Sequence, residues 1–219
     1  MRRIFALAAG LLLVVLATTP VLADSTTWKV SIFNASGAHL GVQVANVAAD
    51  GSVSFTFPAT PDAAYLTTAK QGTGDLTDGT ISATVGITAD PGTTFENYND
   101  YCGTQIPTVG LYFQTSSTGG FNPSAYWWST TRVPVTDLVD STMPLSTVLS
   151  GANWSNYYGQ AGDSNSSYTE GGTTYPAPAP YFAAAVANIT SWGVSFGGGC
   201  HYASGVGTPT GSATFTLQP

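Results

Sequence analysis

The stretch Ile81-Ser82-Ala83-Thr84-Val85-Gly86-Ile87-Thr88 alternates apolar and small polar residues, fenced by Asp78-Gly79 on one side and Asp90-Pro91-Gly92 on the other. A period of two sends successive side chains to opposite faces of a strand, so such a segment buries one face and shows the other to water. A chain that repeats the pattern between turn signals has to fold as sheet packed on sheet. Segments 28–34, 40–47, 53–57, 191–196 and 212–217 repeat it, and 109–115 with 126–133 reads as a hairpin. Segment 181–188 departs from it, with Pro180 near its start and Asn188 near its end, and predicts one short helix. The polar stretch 159–180, rich in Ser, Gly, Thr and Pro, predicts a surface loop. No repeat of 40–50 residues marks a propeller. The expectation is an all-β chain, a two-sheet β-sandwich of jelly-roll type with one short helix and one disulfide.

The N-terminus follows another logic. Arg2 and Arg3 precede an apolar run from Ile4 to Leu16, and Val21-Leu22-Ala23 offers small side chains to a signal peptidase. That run is short of the roughly 20 residues a spanning helix needs. Residues 1–23 therefore read as a cleaved signal peptide, and 24–219 as a single β-sandwich domain in a secreted, extracellular protein with no membrane span. Losing two arginines takes the formal charge from −7 to −9 and leaves Lys29, Lys70 and Arg132 as the cationic side chains. A surface of that sign repels phosphate backbones and argues against a nucleic-acid partner. In an exported chain, Cys102 and Cys200 are expected to pair. The loop they close would stabilise the fold by about 4–5 kcal/mol on the chain-entropy model.

Catalytic and metal signals are sparse. His39 and His201 have no His-x-x-x-His or Cys-x-x-Cys partner, which argues against zinc. A structural calcium could use Asp75, Asp78 and carbonyls of the turn from Gly72 to Gly79; no other cofactor is indicated. Glu96, with Asp100 or another aspartate, is the one pairing that could serve a secreted glycan hydrolase as acid or base.

Aromatic residues are the richer signal. Tyr126-Trp127-Trp128 shares a predicted strand with Arg132; Tyr98 and Tyr101 flank Asn and Asp residues before Cys102; Trp154 lies in Asn153-Trp154-Ser155-Asn156 near Tyr157 and Tyr158. Flat apolar rings beside amides and a guanidinium suit the face and hydroxyls of a sugar. Tyr98, Tyr101, Trp128, Arg132 and Trp154 are the candidate ligand contacts, for carbohydrate or another cell-surface polymer. On a strand running to 133, Tyr126, Trp128 and Arg132 share a face. An interior Arg132 would lack an obvious partner, so that face should be open to solvent and Trp127 should be core.

From Val109-Gly110-Leu111-Tyr112-Phe113-Gln114 through Tyr126-Trp127-Trp128-Ser129, Asn153-Trp154-Ser155 and Trp192-Gly193-Val194-Ser195-Phe196-Gly197-Gly198-Gly199 to Ser212-Ala213-Thr214-Phe215-Thr216-Leu217, the chain resembles secreted bacterial proteins of uncharacterised function. These look like jelly rolls of the galactose-binding and carbohydrate-binding-module type. The resemblance implies a fold and a non-catalytic binding role; it transfers no binding residue. The other expectations are the hydrolase using Glu96 and a structural or adhesive surface protein.

Overall fold

The computed structural model describes residues 28–34, 38–97, 105–116, 122–198 and 202–218. The first strands are β1 (Lys29–Phe33), β2 (His39–Val44), β3 (Asn46–Val47), β4 (Val53–Thr56), β5 (Ala63–Gly74) and β6 (Thr80–Ala89). Next come β7 (Thr94–Asn97), β8 (Thr108–Thr115), β9 (Tyr126–Ser129), β10 (Val133–Pro134), β11 (Ser141–Val148) and β12 (Trp154–Ser155). The last group is β13 (Tyr168–Glu170), β14 (Thr173–Tyr175), helix α1 (Ala179–Val186), β15 (Ile189–Gly197), β16 (Val206–Thr210) and β17 (Ala213–Gln218).

Among the described residues the strands form two large antiparallel sheets. The first runs β12-β9-β8-β15-β5-β1-β2, with β10 on β8 and with β16 and β7 joined through β5; the second runs β11-β6-β17-β4-β3. Alternation does what the sequence implies. Ile81, Ala83, Val85 and Ile87 of β6 are buried while Ser82 and Thr88 are exposed, and Ala213, Phe215 and Leu217 of β17 are buried. The inward faces meet in one core. Phe196 of β15 packs edge-on against Phe55 (5.5 Å), Phe57 (5.2 Å) and Phe215 (5.0 Å), three rings from the opposite sheet and its continuation. Each such pair contributes about 0.5–1.5 kcal/mol beyond the area it buries.

Two departures from the sequence reading matter. The strand expected over 126–133 is broken: the Ser129 hydroxyl donates to the Thr131 carbonyl, and the Thr130 amide donates to the Asn153 carbonyl, so the chain turns between β9 and β10. The expected loop 159–180 contains the β13–β14 hairpin, in which Tyr168 pairs with Tyr175. Helix α1 begins with Pro180 in its first turn and buries Phe182, Ala185 and Val186, the i, i+3, i+4 stripe of an amphipathic helix. No helix among the described residues is long and apolar enough to cross a membrane.

Candidate functional site: an aromatic strip outside the core

Trp127 and Trp128 lie on opposite faces of β9, as period two requires. Trp127 joins the inter-sheet core, stacked with Phe113 and edge-on to Phe182 at 4.9 Å, and its Nε1 donates to the Ser124 carbonyl. Trp128 points to the outer face. It forms a separate small cluster with Tyr112 and Ala203, flanked by the half-buried Tyr126 and Tyr202. Register explains the contact, because Tyr112 of β8 sits directly opposite Trp128.

From Trp128 the rings continue across the surface. Tyr126 stacks near it at 6.4 Å and Tyr157 follows at 6.3 Å. Tyr157 meets Tyr158 at 5.3 Å, and Tyr158 lies 5.0 Å from Tyr168 and 4.6 Å from Tyr175 on the β13–β14 hairpin. Trp128 is nearly covered, whereas Tyr157 is exposed and Tyr126, Tyr158, Tyr168 and Tyr175 are half-buried. The result is a tyrosine strip on a tryptophan floor, built on the back of the sheet.

Two asparagines hold the strip in place. Asn122 Oδ1 accepts from the Ser124 amide, starting the short 3-10 turn that delivers Tyr126. Asn156, itself buried, accepts from the Tyr158 and Gln160 amides at 3.0 Å each, and its Nδ2 donates to Gln160 Oε1 at 3.1 Å. Those bonds fix the turn that presents Tyr157 and Tyr158. Hydrogen bonding to Tyr175 pushes the Tyr158 phenol up to about 12. Burial, with the Tyr126 phenol beside it, pushes Tyr112 well above the usual tyrosine range, and the Tyr112 hydroxyl donates to Gln114 Oε1. Tyr112 and Tyr158 therefore keep their phenolic protons at physiological pH. Trp128 Nε1 is a buried donor with no partner among the described residues.

Arg132 lies on the same outer face as Tyr112 and Trp128, as expected, but half-buried and with its guanidinium engaged by protein groups instead of open to a ligand. Its guanidinium is held between β8, β15 and the 202–205 turn. Nε donates to Thr108 Oγ1 (2.8 Å) and Nη1 to Ser195 Oγ (3.1 Å). Nη2 donates to the carbonyls of Ser195 (2.9 Å), Tyr202 (3.1 Å) and, more weakly, Thr108 (3.5 Å). The Tyr202 ring lies 4.8 Å from its central carbon. Burial lowers its pKa to about 9, with Tyr202 acting in the opposite direction, so it stays cationic at neutral pH. Outside the inter-sheet core, its partners are neutral hydroxyls and carbonyls. Gly110 makes room for it, since a Cβ there would stand 2.7 Å from Nη1.

Trp154 is also removed from the candidate contacts. It is fully buried, edge-on to Phe113 at 4.8 Å, with Nε1 donating to the Val148 carbonyl. Tyr98, Tyr101, Cys102 and Cys200 lie outside the described residues. Glu96 is exposed on β7 and shares a groove of about 370 Å³ with Asp62, a carboxylate distant in sequence; Asp100 lies outside the described residues. Asp75 Oδ1 accepts from the Thr77 hydroxyl (2.6 Å) and amide (2.9 Å), bonds that lower its pKa and tie the turn together.

The chain matches no protein family. Curated proteins and solved structures likewise give no match. The strip has to be read on its own chemistry. Sequence reasoning missed Tyr112, Tyr168, Tyr175 and Tyr202. Tyr112 was findable, since pairing 109–115 with 126–133 sets it beside the Tyr-Trp-Trp run. The hairpin tyrosines sit in a stretch whose Ser, Gly and Pro content masks two three-residue strands.

Proposed function

We propose that the exported chain, beginning at Asp24, is a non-catalytic protein that binds an extracellular or cell-wall carbohydrate along the tyrosine strip. One observation carries this reading: a continuous run of rings from Tyr112 to Tyr175 lies on the outside of a sheet, separate from the inter-sheet core. Phenols suit this role because each offers an apolar face and one hydroxyl at low entropic cost. An elongated strip, unlike a closed pocket, accommodates a polymer lying along it. The jelly-roll assignment belongs to the same proposal, as does pairing of Cys102 with Cys200. Support for the pairing comes from the residues beside each cysteine. Asn97 Nδ2 donates to the Gln105 carbonyl at 2.7 Å, and Gly198 packs so closely that a Cβ would stand 2.5 Å from the Ile106 carbonyl.

A glycan array probed with the secreted protein is the test. Binding to at least one polysaccharide class, weakened about tenfold or more by Tyr157→Ala with the melting temperature unchanged, is the expected result. Absence of binding to every glycan at millimolar concentration would overturn the reading.

A further inference from the structure

A second feature lies on the opposite flank, at the free edge of the first sheet. Strand β2 ends the order β12-β9-β8-β15-β5-β1-β2, so one side of its backbone has no strand partner among the described residues. Natural edge strands are protected by charges, proline or a covering element. This one, His-Leu-Gly-Val-Gln-Val, has no Asp, Glu, Lys, Arg or Pro, and it leaves Leu40 51%, Val42 49% and Val44 71% exposed. A groove of about 290 Å³ runs beside it, lined by four consecutive residues, Leu40 to Gln43, with Thr56 and Pro58 opposite. The groove also touches core-facing Ile32, which pairs with Gly41, so it opens beside β2 on the core side of the strand, while Val42 and Val44, paired with Ser31 and Lys29, show their side chains on the outer face. The far wall is also open. β3 covers β4 only at Ser54 and Val53, leaving the Thr56 end of that strand uncovered on the side away from β17.

Charge is distributed along this slot. Asp62 lines both this groove and the adjoining one of about 370 Å³, where Glu96 and Thr60 also sit. Asp62 immediately precedes Ala63, which pairs with Phe33, the residue opposite His39; the acidic end of the slot is therefore the Leu40 end of β2. At the other end Lys29 lies opposite Val44. With a formal charge of −7 over the whole chain, the long-range field favours a cation as well.

We infer that β2 accepts an extended peptide as an additional antiparallel strand, with alternating apolar side chains beside Val42 and Val44 on the outer face and a lysine or arginine reaching Asp62 and Glu96 from the groove side. Backbone hydrogen bonds to the free edge supply the general affinity, and the outer-face valines and the acidic groove select the apolar and cationic positions. Antiparallel addition places the basic residue on the C-terminal side of the apolar ones. The site is separate from the tyrosine strip, so the two proposals stand or fall independently.

The test uses the secreted protein and a fluorescent synthetic peptide, Thr-Val-Thr-Val-Thr-Val-Lys-Lys, read by anisotropy. Controls are the same peptide with glutamates for the lysines and with the lysines moved to the N-terminus. Saturable binding is expected, weakened about tenfold or more by either control, by added salt, and by D62N/E96Q. V42K should weaken it similarly, and V42K serves beside Val42→Pro in case proline disturbs the edge. Tyr157→Ala should leave it unchanged. Equal binding of all three peptides overturns the inference. So does failure to bind alongside a dimer in sedimentation that V42K dissociates, because a second copy then covers the edge.

Discussion

Replacing Arg132 by alanine tests how the back of the sheet is held. The guanidinium makes five hydrogen bonds to Thr108, Ser195 and Tyr202 and lies against the Tyr202 ring. The two hydroxyls can turn to other partners; the Ser195 and Tyr202 carbonyls cannot, and each orphaned buried acceptor costs about 1–3 kcal/mol. The ring contact adds about 0.5–1 kcal/mol, up to 2 when desolvated. Against this stands relief of the guanidinium's own desolvation, visible in its lowered pKa. The net expectation is a loss of about 3 kcal/mol, which for a domain of this size lowers Tm by about 6–12 °C. R132K keeps the charge but not the planar fork and should recover about half. Guanidinium chloride denaturation measures the loss. Hydrogen exchange should show the Gly205 amide, bonded to the Phe196 carbonyl, less protected in Arg132→Ala. A loss below about 1 kcal/mol, with Gly205 protection intact, would refute the reasoning.

Three further outcomes are expected. Trp154→Ala should cost about 3–5 kcal/mol in the same denaturation assay, since the ring is core and its Nε1 is bonded; a near-neutral effect would return Trp154 to the surface. Tyr112 and Tyr158 have folded pKa values above the unfolded tyrosine value near 10, so the stability they contribute is present below pH 10 and lost as pH rises through about 12 for Tyr158. Absorbance at 295 nm should show tyrosine ionisation that extends well above pH 10, with Tm falling across that window, whereas complete ionisation near 10 contradicts it. Intact mass of secreted protein should correspond to a chain starting at Asp24 with two hydrogens lost to a Cys102–Cys200 bond; a mass that includes Met1, or two alkylatable thiols, contradicts it.

Period two carried most of what the sequence revealed. It marked β6, β8, β9, β15 and β17, and it put Trp127 and Trp128 on opposite faces. It failed where a strand violates composition without violating geometry. β11 contains Pro144, which reads as a breaker, yet β11 ends the second sheet, where a missing N–H on the outer side is tolerated. Long β5 was invisible because Thr, Lys, Gln and Gly dominate it, although strands flank it on both sides. Arg132 falls on the expected outer face although the strand breaks at the Ser129–Thr131 bond, but its capture beneath the 202–205 turn was not legible. Its true partners lie 24, 63 and 70 residues away, a separation no local pattern encodes. Trp154 sits in a polar Asn-Trp-Ser-Asn context that imitates a binding loop, and only the pairing of Trp154 with Ser129 turns it inward.

The central claim is that tyrosines outside the core recognise carbohydrate, and the most direct measurement removes their rings together. Tyr126, Tyr157 and Tyr175 are all replaced by alanine in one variant, which is compared with wild type on the polysaccharide that binds best, using affinity electrophoresis and a melting curve on the same preparations. The account predicts that retardation by the polysaccharide disappears while Tm falls by only a few degrees, because none of the three belongs to the inter-sheet core. Unchanged retardation in a folded triple variant would contradict it.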